Sequence, residues 1–147
     1  MNHAFQDNLV LSVYPTSRGY AYVLFEGPQS PYDWGVKDIR KKQKNEHTLK
    51  SIQTLIERHR PGYLVIEDYT EKGSRRSSRI RRLYRALTHL AETECIEVCR
   101  VSRSGVRRCF DTVGAVKKSE MAAAIARQIP AFAHRLPPVR KIWMSED

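Results

Sequence analysis

Apolar positions fall first into short runs and later into stripes at helical spacing. Residues 8–14, NLVLSVY, form an apolar run that ends at the turn-prone PTSRG, and 19–25, GYAYVLF, follow with aromatic and β-branched side chains. Two such runs around a Pro/Gly turn predict a hairpin. After GPQSP, the weaker strand DWGVKDIR at 33–40 extends the hairpin to a three-stranded meander. Over 45–59 the pattern changes: Leu49, Ile52, Leu55 and Ile56 make an apolar stripe. Pro61–Gly62 closes that helix. YLVIED at 63–68 reads as a strand buried on both faces whose C-terminal end emerges at a site.

A second helix is predicted over 75–93, with Ile80, Leu83, Leu87 and Leu90 in line, and then a strand, IEVCRV, at 96–101. A third helix starts near Ser119 as N-cap and carries Met121, Ala124, Ile125 and Ile129. The tail from Pro130, with Pro137 and Pro138, reads as irregular. The order β-β-β-α-β-α-β-α gives an α/β fold, a mixed five-stranded sheet with helices on both faces. Its βαβ connections are right-handed. If YLVIED pairs in parallel with NLVLSVY, the two C-terminal ends are neighbours at about 4.8 Å. Tyr14, Glu67 and Asp68 then surround one point, where open α/β sheets place ligands.

Composition narrows the partners. With 26 Lys and Arg against 16 Asp and Glu, the 147-residue chain carries a net charge of +10. Such an excess concerns partners rather than fold. Nucleic acid is the first to consider and an anionic membrane surface the second. No apolar run approaches the roughly 20 residues needed to span a bilayer, so no membrane role is expected. The N-terminal residues show no signal-peptide pattern. Cys95, Cys99 and Cys109 form no CxxC pair, and no histidine stands at metal-ligand spacing from them. Cys95 and Cys99 could share one face of a strand in an apolar role. A reduced, cytoplasmic protein follows.

Charge is densest between Lys72 and Arg85. Lys72, Arg75, Arg76, Arg79, Arg81, Arg82 and Arg85 have no acid among them. On a helix Arg75, Arg79 and Arg82 share one face. A solvated face normally mixes signs, so phosphate contact is the better reading here, and arginine suits it through bidentate geometry. Arg103, Arg107, Arg108, Lys117 and Lys118 could continue that surface. Thr16, Ser17 and Arg18 could touch phosphate, although a simple turn accounts for them. Trp34 and Trp143 could stack on bases, with core packing the simpler role. For Glu67 and Asp68 the plain alternative is that acids at a strand end cap the next turn or pair with a nearby arginine.

NLVLSVYPTSRGYAYVLFEG, HRPGYLVIED and VSRSGVRRCFDTVGAVKKSEMAAAIARQI together resemble, in order and spacing, three segments of the RuvC-type Holliday-junction resolvases. The resemblance covers most of residues 8–129. It implies an RNase H-like fold and a nuclease whose carboxylates hold two Mg²⁺ ions that activate water and stabilise the leaving oxygen. By that resemblance Glu67 and Asp68 are the catalytic and metal-ligating residues. Where the family has its first aspartate this chain has Tyr14, a neutral phenol that cannot hold Mg²⁺ as a carboxylate does. The family's last acids lie on a C-terminal helix, and residues 1–147 read as a single domain stopping short of it.

The resulting expectation is a nucleic-acid-binding RNase H-like domain, for branched or duplex DNA, with nuclease activity weakened or lost. Two alternatives stand beside it: an active Mg²⁺-dependent endonuclease with further ligands beyond residue 147, and a basic scaffold docking on an acidic protein. Homodimer formation is left open by all three.

Overall fold

The computed structural model describes residues 6–115 and 117–135, and the chain divides into two compact units, Met1–Ser102 and Arg103–Asp147. The first unit opens with three strands, β1 (Gln6–Pro15), β2 (Gly19–Gly27) and β3 (Ser30–Asp38). Helix α1 (Lys44–His59) leads to β4 (Pro61–Glu67), and helix α2 (Ser78–Thr93) leads to β5 (Glu97–Val101). The sheet is mixed and five-stranded, in the order β3-β2-β1-β4-β5. β1 runs antiparallel to β2 and parallel to β4, which runs parallel to β5.

One face of this sheet is fully buried. Leu9, Leu11 and Val13 of β1, Tyr20, Tyr22 and Leu24 of β2, and Leu64 and Ile66 of β4 alternate onto it. Ile52 and Ile56 of α1 and Ile80, Leu83 and Leu87 of α2 pack into the same cluster. This is the strand period of two meeting the helix period of 3.6. The other side of β4 is only half-buried at Tyr63 and Val65, so that strand is sealed on one face rather than on both.

Several boundaries differ from the sequence pattern for local reasons. α1 ends at Arg60 in the left-handed conformation (φ 49°), whose amide bonds back to Ile56, and Pro61 already begins β4. α2 starts three residues later than predicted: the Ser77 hydroxyl accepts from the Ile80 amide as N-cap, so Arg75 and Arg76 precede the helix. Cys95 sits at φ 59° in the turn before β5, exposed, and so does not share a strand face with Cys99. Gly19 is required by crowding, because a Cβ there would lie 1.9 Å from the Lys37 carbonyl oxygen across the β2–β3 pair.

The second unit contains α3 (Arg103–Asp111), α4 (Lys118–Gln128) and a short 3₁₀ helix, Pro130–Arg135. α3 has no counterpart in the sequence reading, and none of its residues is buried, so no apolar stripe announced it. α4 starts near Ser119 as expected, but its N-cap is Lys117 rather than Ser119, with Glu120 accepting from the Lys117 amide at 3.0 Å. Trp143, Pro137, Pro138, Glu146 and Asp147 lie outside the described residues.

Candidate functional site

The C-terminal ends of β1 and β4 lie side by side. Leu11 pairs with Leu64 and Ser12 with Val65, and continuing that parallel register sets Tyr14 beside Glu67. Alternation along both strands turns these two residues away from the buried face that Val13 and Ile66 occupy. The predicted juxtaposition of Tyr14 and Glu67 is therefore present.

Between them stands a cation supplied by the chain. The Arg76 Nε lies 3.0 Å from Glu67 Oε1, an ion pair whose side chains are only 18% and 10% exposed. Its guanidinium carbon is 4.9 Å from the centre of the Tyr14 ring and 5.9 Å from that of Tyr84. A guanidinium over an aromatic face gains from the ring quadrupole, the more so where water is excluded. Arg76 also donates to the Pro15 carbonyl at 2.5 Å, which holds the end of β1 against the segment before α2.

Tyr84 closes the floor. It is fully buried, stacks on Tyr69 at 5.2 Å with rings nearly parallel, and directs its hydroxyl at Glu67 Oε1 over a long 3.5 Å. Burial, reinforced by the Glu67 charge, pushes its phenol up to about 12, while the neighbouring Arg76 works in the opposite direction.

Asp68 serves the turn that follows. Its carboxylate accepts from the Thr70 hydroxyl at 2.5 Å and the Thr70 amide at 3.1 Å. Those bonds, the hydroxyl first, hold its carboxyl below the usual carboxylate range. This is an Asx-type turn. The plain alternative read from the sequence, turn capping and arginine pairing, describes how both acids are engaged.

The arginine run divides into two groups. Arg76 and Arg79 point inward. The Arg79 guanidinium donates to Asn45 Oδ1 at 2.9 Å and to the Thr16 carbonyl at 3.2 Å, while the Asn45 amide returns a bond to the Arg79 carbonyl. Arg81 likewise donates to the carbonyls of Arg76 and Ser74. Lys72, Arg75, Arg82 and Arg85 are exposed. Arg107, Lys117 and Lys118 belong to the second unit and are exposed there. Trp34 is half-buried on β3.

Sequence reasoning missed Tyr84 as part of the site, although its place one turn after Ile80 on the α2 stripe marks it as inward-facing. It also missed Asn45, whose role depends on a residue 34 positions away.

Among the described residues no group of three or more His, Cys, Asp or Glu is gathered to hold a metal ion. Glu67 is paired with Arg76, and one oxygen of Asp68 is engaged by Thr70. No described helix is long and apolar enough to cross a membrane.

No protein-family model matches the chain, and no curated protein matches it in sequence. Solved structures do. Thermus thermophilus RuvC in complex with a Holliday junction substrate superposes with a TM-score of 0.63 at 12% identity, covering 82% of this chain and 78% of that one. A second Thermus thermophilus RuvC structure gives 0.61 at 16% identity, over 92% and 85%. The meander, the parallel β1–β4–β5 segment and this similarity together show that the chain has the RuvC-type, RNase H-like fold.

Proposed function

We propose that this chain is a nucleic-acid-binding domain, directed at branched or duplex DNA, in which nuclease activity is weakened or lost. The observation that carries the second half is the Arg76–Glu67 ion pair beneath Tyr14. A buried carboxylate already matched by a guanidinium has little to offer a divalent ion, because the ion would have to displace a charge partner that needs no dehydration. The first half is supported by the fold shared with a RuvC solved on a junction and by exposed Lys72, Arg75, Arg82 and Arg85 on and before α2. Exposed cations without carboxylates among them suit a polyanion, and each phosphate neutralised releases counterion. A reduced, cytoplasmic setting and a single functional domain belong to the same reading.

The test is cleavage and binding measured together on junction, duplex and single-stranded substrates with added Mg²⁺. Salt-sensitive binding with little or no cutting is the expected result. Robust Mg²⁺-dependent cutting abolished by Glu67→Gln would overturn it.

A further inference from the structure

At the β1–β2 turn lies a cleft of about 270 Å³, lined by Arg18, Asp38, Ile39, Arg40 and Lys44. Its shape follows from three elements meeting. The Thr16 hydroxyl accepts from the amides of Arg18 and Gly19, which folds the turn, and the Ile39 amide donates to the Arg18 carbonyl, which fixes the end of β3 against it. Lys44, at the start of α1, donates to the Ser17 carbonyl at 2.8 Å. Three cations thus face one carboxylate. The sole ion pair among them, Arg40–Asp38, is 3.9 Å long between side chains 89% and 47% exposed, a contact that neutralises little. The Arg18 guanidinium meets no acceptor among the described residues. Lys41 and Lys42 follow directly, and with Lys44 they gather at the positive end of the α1 dipole, where Glu46 is the one acid of the first turn. Fixed walls, excess positive charge and unspent donors are what a phosphate group requires.

We infer that this cleft is a phosphate-binding subsite for the nucleic-acid backbone, with Arg18 and Arg40 as the contacting residues and Lys44 fastening the turn beneath them. The inference rests on the nucleic-acid reading above and extends it to a second surface. Arg18 is four residues beyond Tyr14, a span of at most about 14 Å. At about 3.4 Å per phosphate along one strand, a single backbone segment passing Tyr14 would reach the cleft within about four steps.

The experiment compares the full chain with Arg18→Ala/Arg40→Ala and with Arg82→Ala, measuring affinity for a labelled duplex across salt concentrations. The cleft variant should flatten the dependence of log K on log salt by about two units. In a parallel arm, inorganic phosphate is titrated into the unaltered chain while amide resonances of residues 16–19 and 39–46 are followed, and saturable shifts lost in the cleft variant are expected. An unchanged slope in the folded cleft variant, with Arg82→Ala still flattening it, overturns the cleft and leaves the nucleic-acid reading standing. Saturable phosphate shifts in a chain that binds no DNA uphold the cleft and remove the reading. If the alanine pair does not fold, Arg18→Gln/Arg40→Gln carries the same comparison.

Discussion

Arg76 reaches Glu67 from the segment just ahead of α2, and the two form a nearly buried ion pair at the point where two parallel strands end. A charge pair in that position is asymmetric in its consequences. Keeping it adds modest stability, whereas removing one partner strands the other without water.

Arg76→Ala is therefore expected to destabilise the chain by about 3 kcal/mol, the lower end of what breaking a buried pair costs, since both side chains keep some exposure. Urea unfolding measures it, and a loss under about 1 kcal/mol would show that solvent already screens the pair. Arg76→Lys should recover only part of the loss, because an ammonium cannot serve Glu67, Pro15 and the Tyr14 ring together.

Arg79 and Arg82, three residues apart and apparently equivalent in the sequence, should separate cleanly. Arg79→Ala removes charge-assisted bonds to Asn45 and Thr16 and should cost about 2 kcal/mol or more. Arg82→Ala, at an exposed position, should stay within about 0.5 kcal/mol of the parent while reducing the salt slope of DNA binding. Equal stability losses for the two would contradict the inward role of Arg79.

Alkali should reveal Tyr84. Its phenol ionises near 12 in the folded chain and near 10 when unfolded, so its contribution is intact below about pH 10. It is lost as pH rises through 12, and amounts to roughly 2–3 kcal/mol. Unfolding midpoints between pH 9 and 12 should fall more steeply for the parent than for Tyr84→Phe. Identical pH dependence would mean the phenol is already accessible.

Tyr14→Asp alone should not create a Mg²⁺ site. The new carboxylate would face Arg76 and join Glu67 in sharing it. Only Tyr14→Asp together with Arg76→Ala leaves two carboxylates without a cation, and only that pair should show a Mg²⁺-dependent rise in melting temperature. A comparable rise in the single variant would mean that Arg76 gives way to metal.

The sheet was legible because β-branched runs and turn residues agree with its topology, and because the parallel pairing of β1 with β4 follows once a helix stripe separates them. α3 was invisible for the opposite reason: with no residue buried, it leaves no stripe to read. At the site, Tyr14 and Glu67 could be placed from strand ends alone. The partner of Glu67 could not, because every arginine from 75 to 85 looks equivalent until the Ser77 cap fixes where α2 begins. That cap leaves Arg76 ahead of the helix, where it donates to the Pro15 carbonyl, and commits Arg82 to an exposed turn of the helix. Arg18, Arg40 and Lys44 converge through tertiary contacts that no local pattern encodes.

The guanidinium held between Glu67 and Tyr14 also constrains how such a sequence can change. Losing Arg76 first leaves a lone carboxylate in a nearly dry site, an intermediate that folds poorly. Changing Tyr14 to an acid first is expected to gain nothing, since Arg76 would face the new charge as well as that of Glu67. Either order therefore passes through a step in which carboxylates stand without a cation, and a lineage that has to stay folded can take that step only where a bound metal offsets the loss.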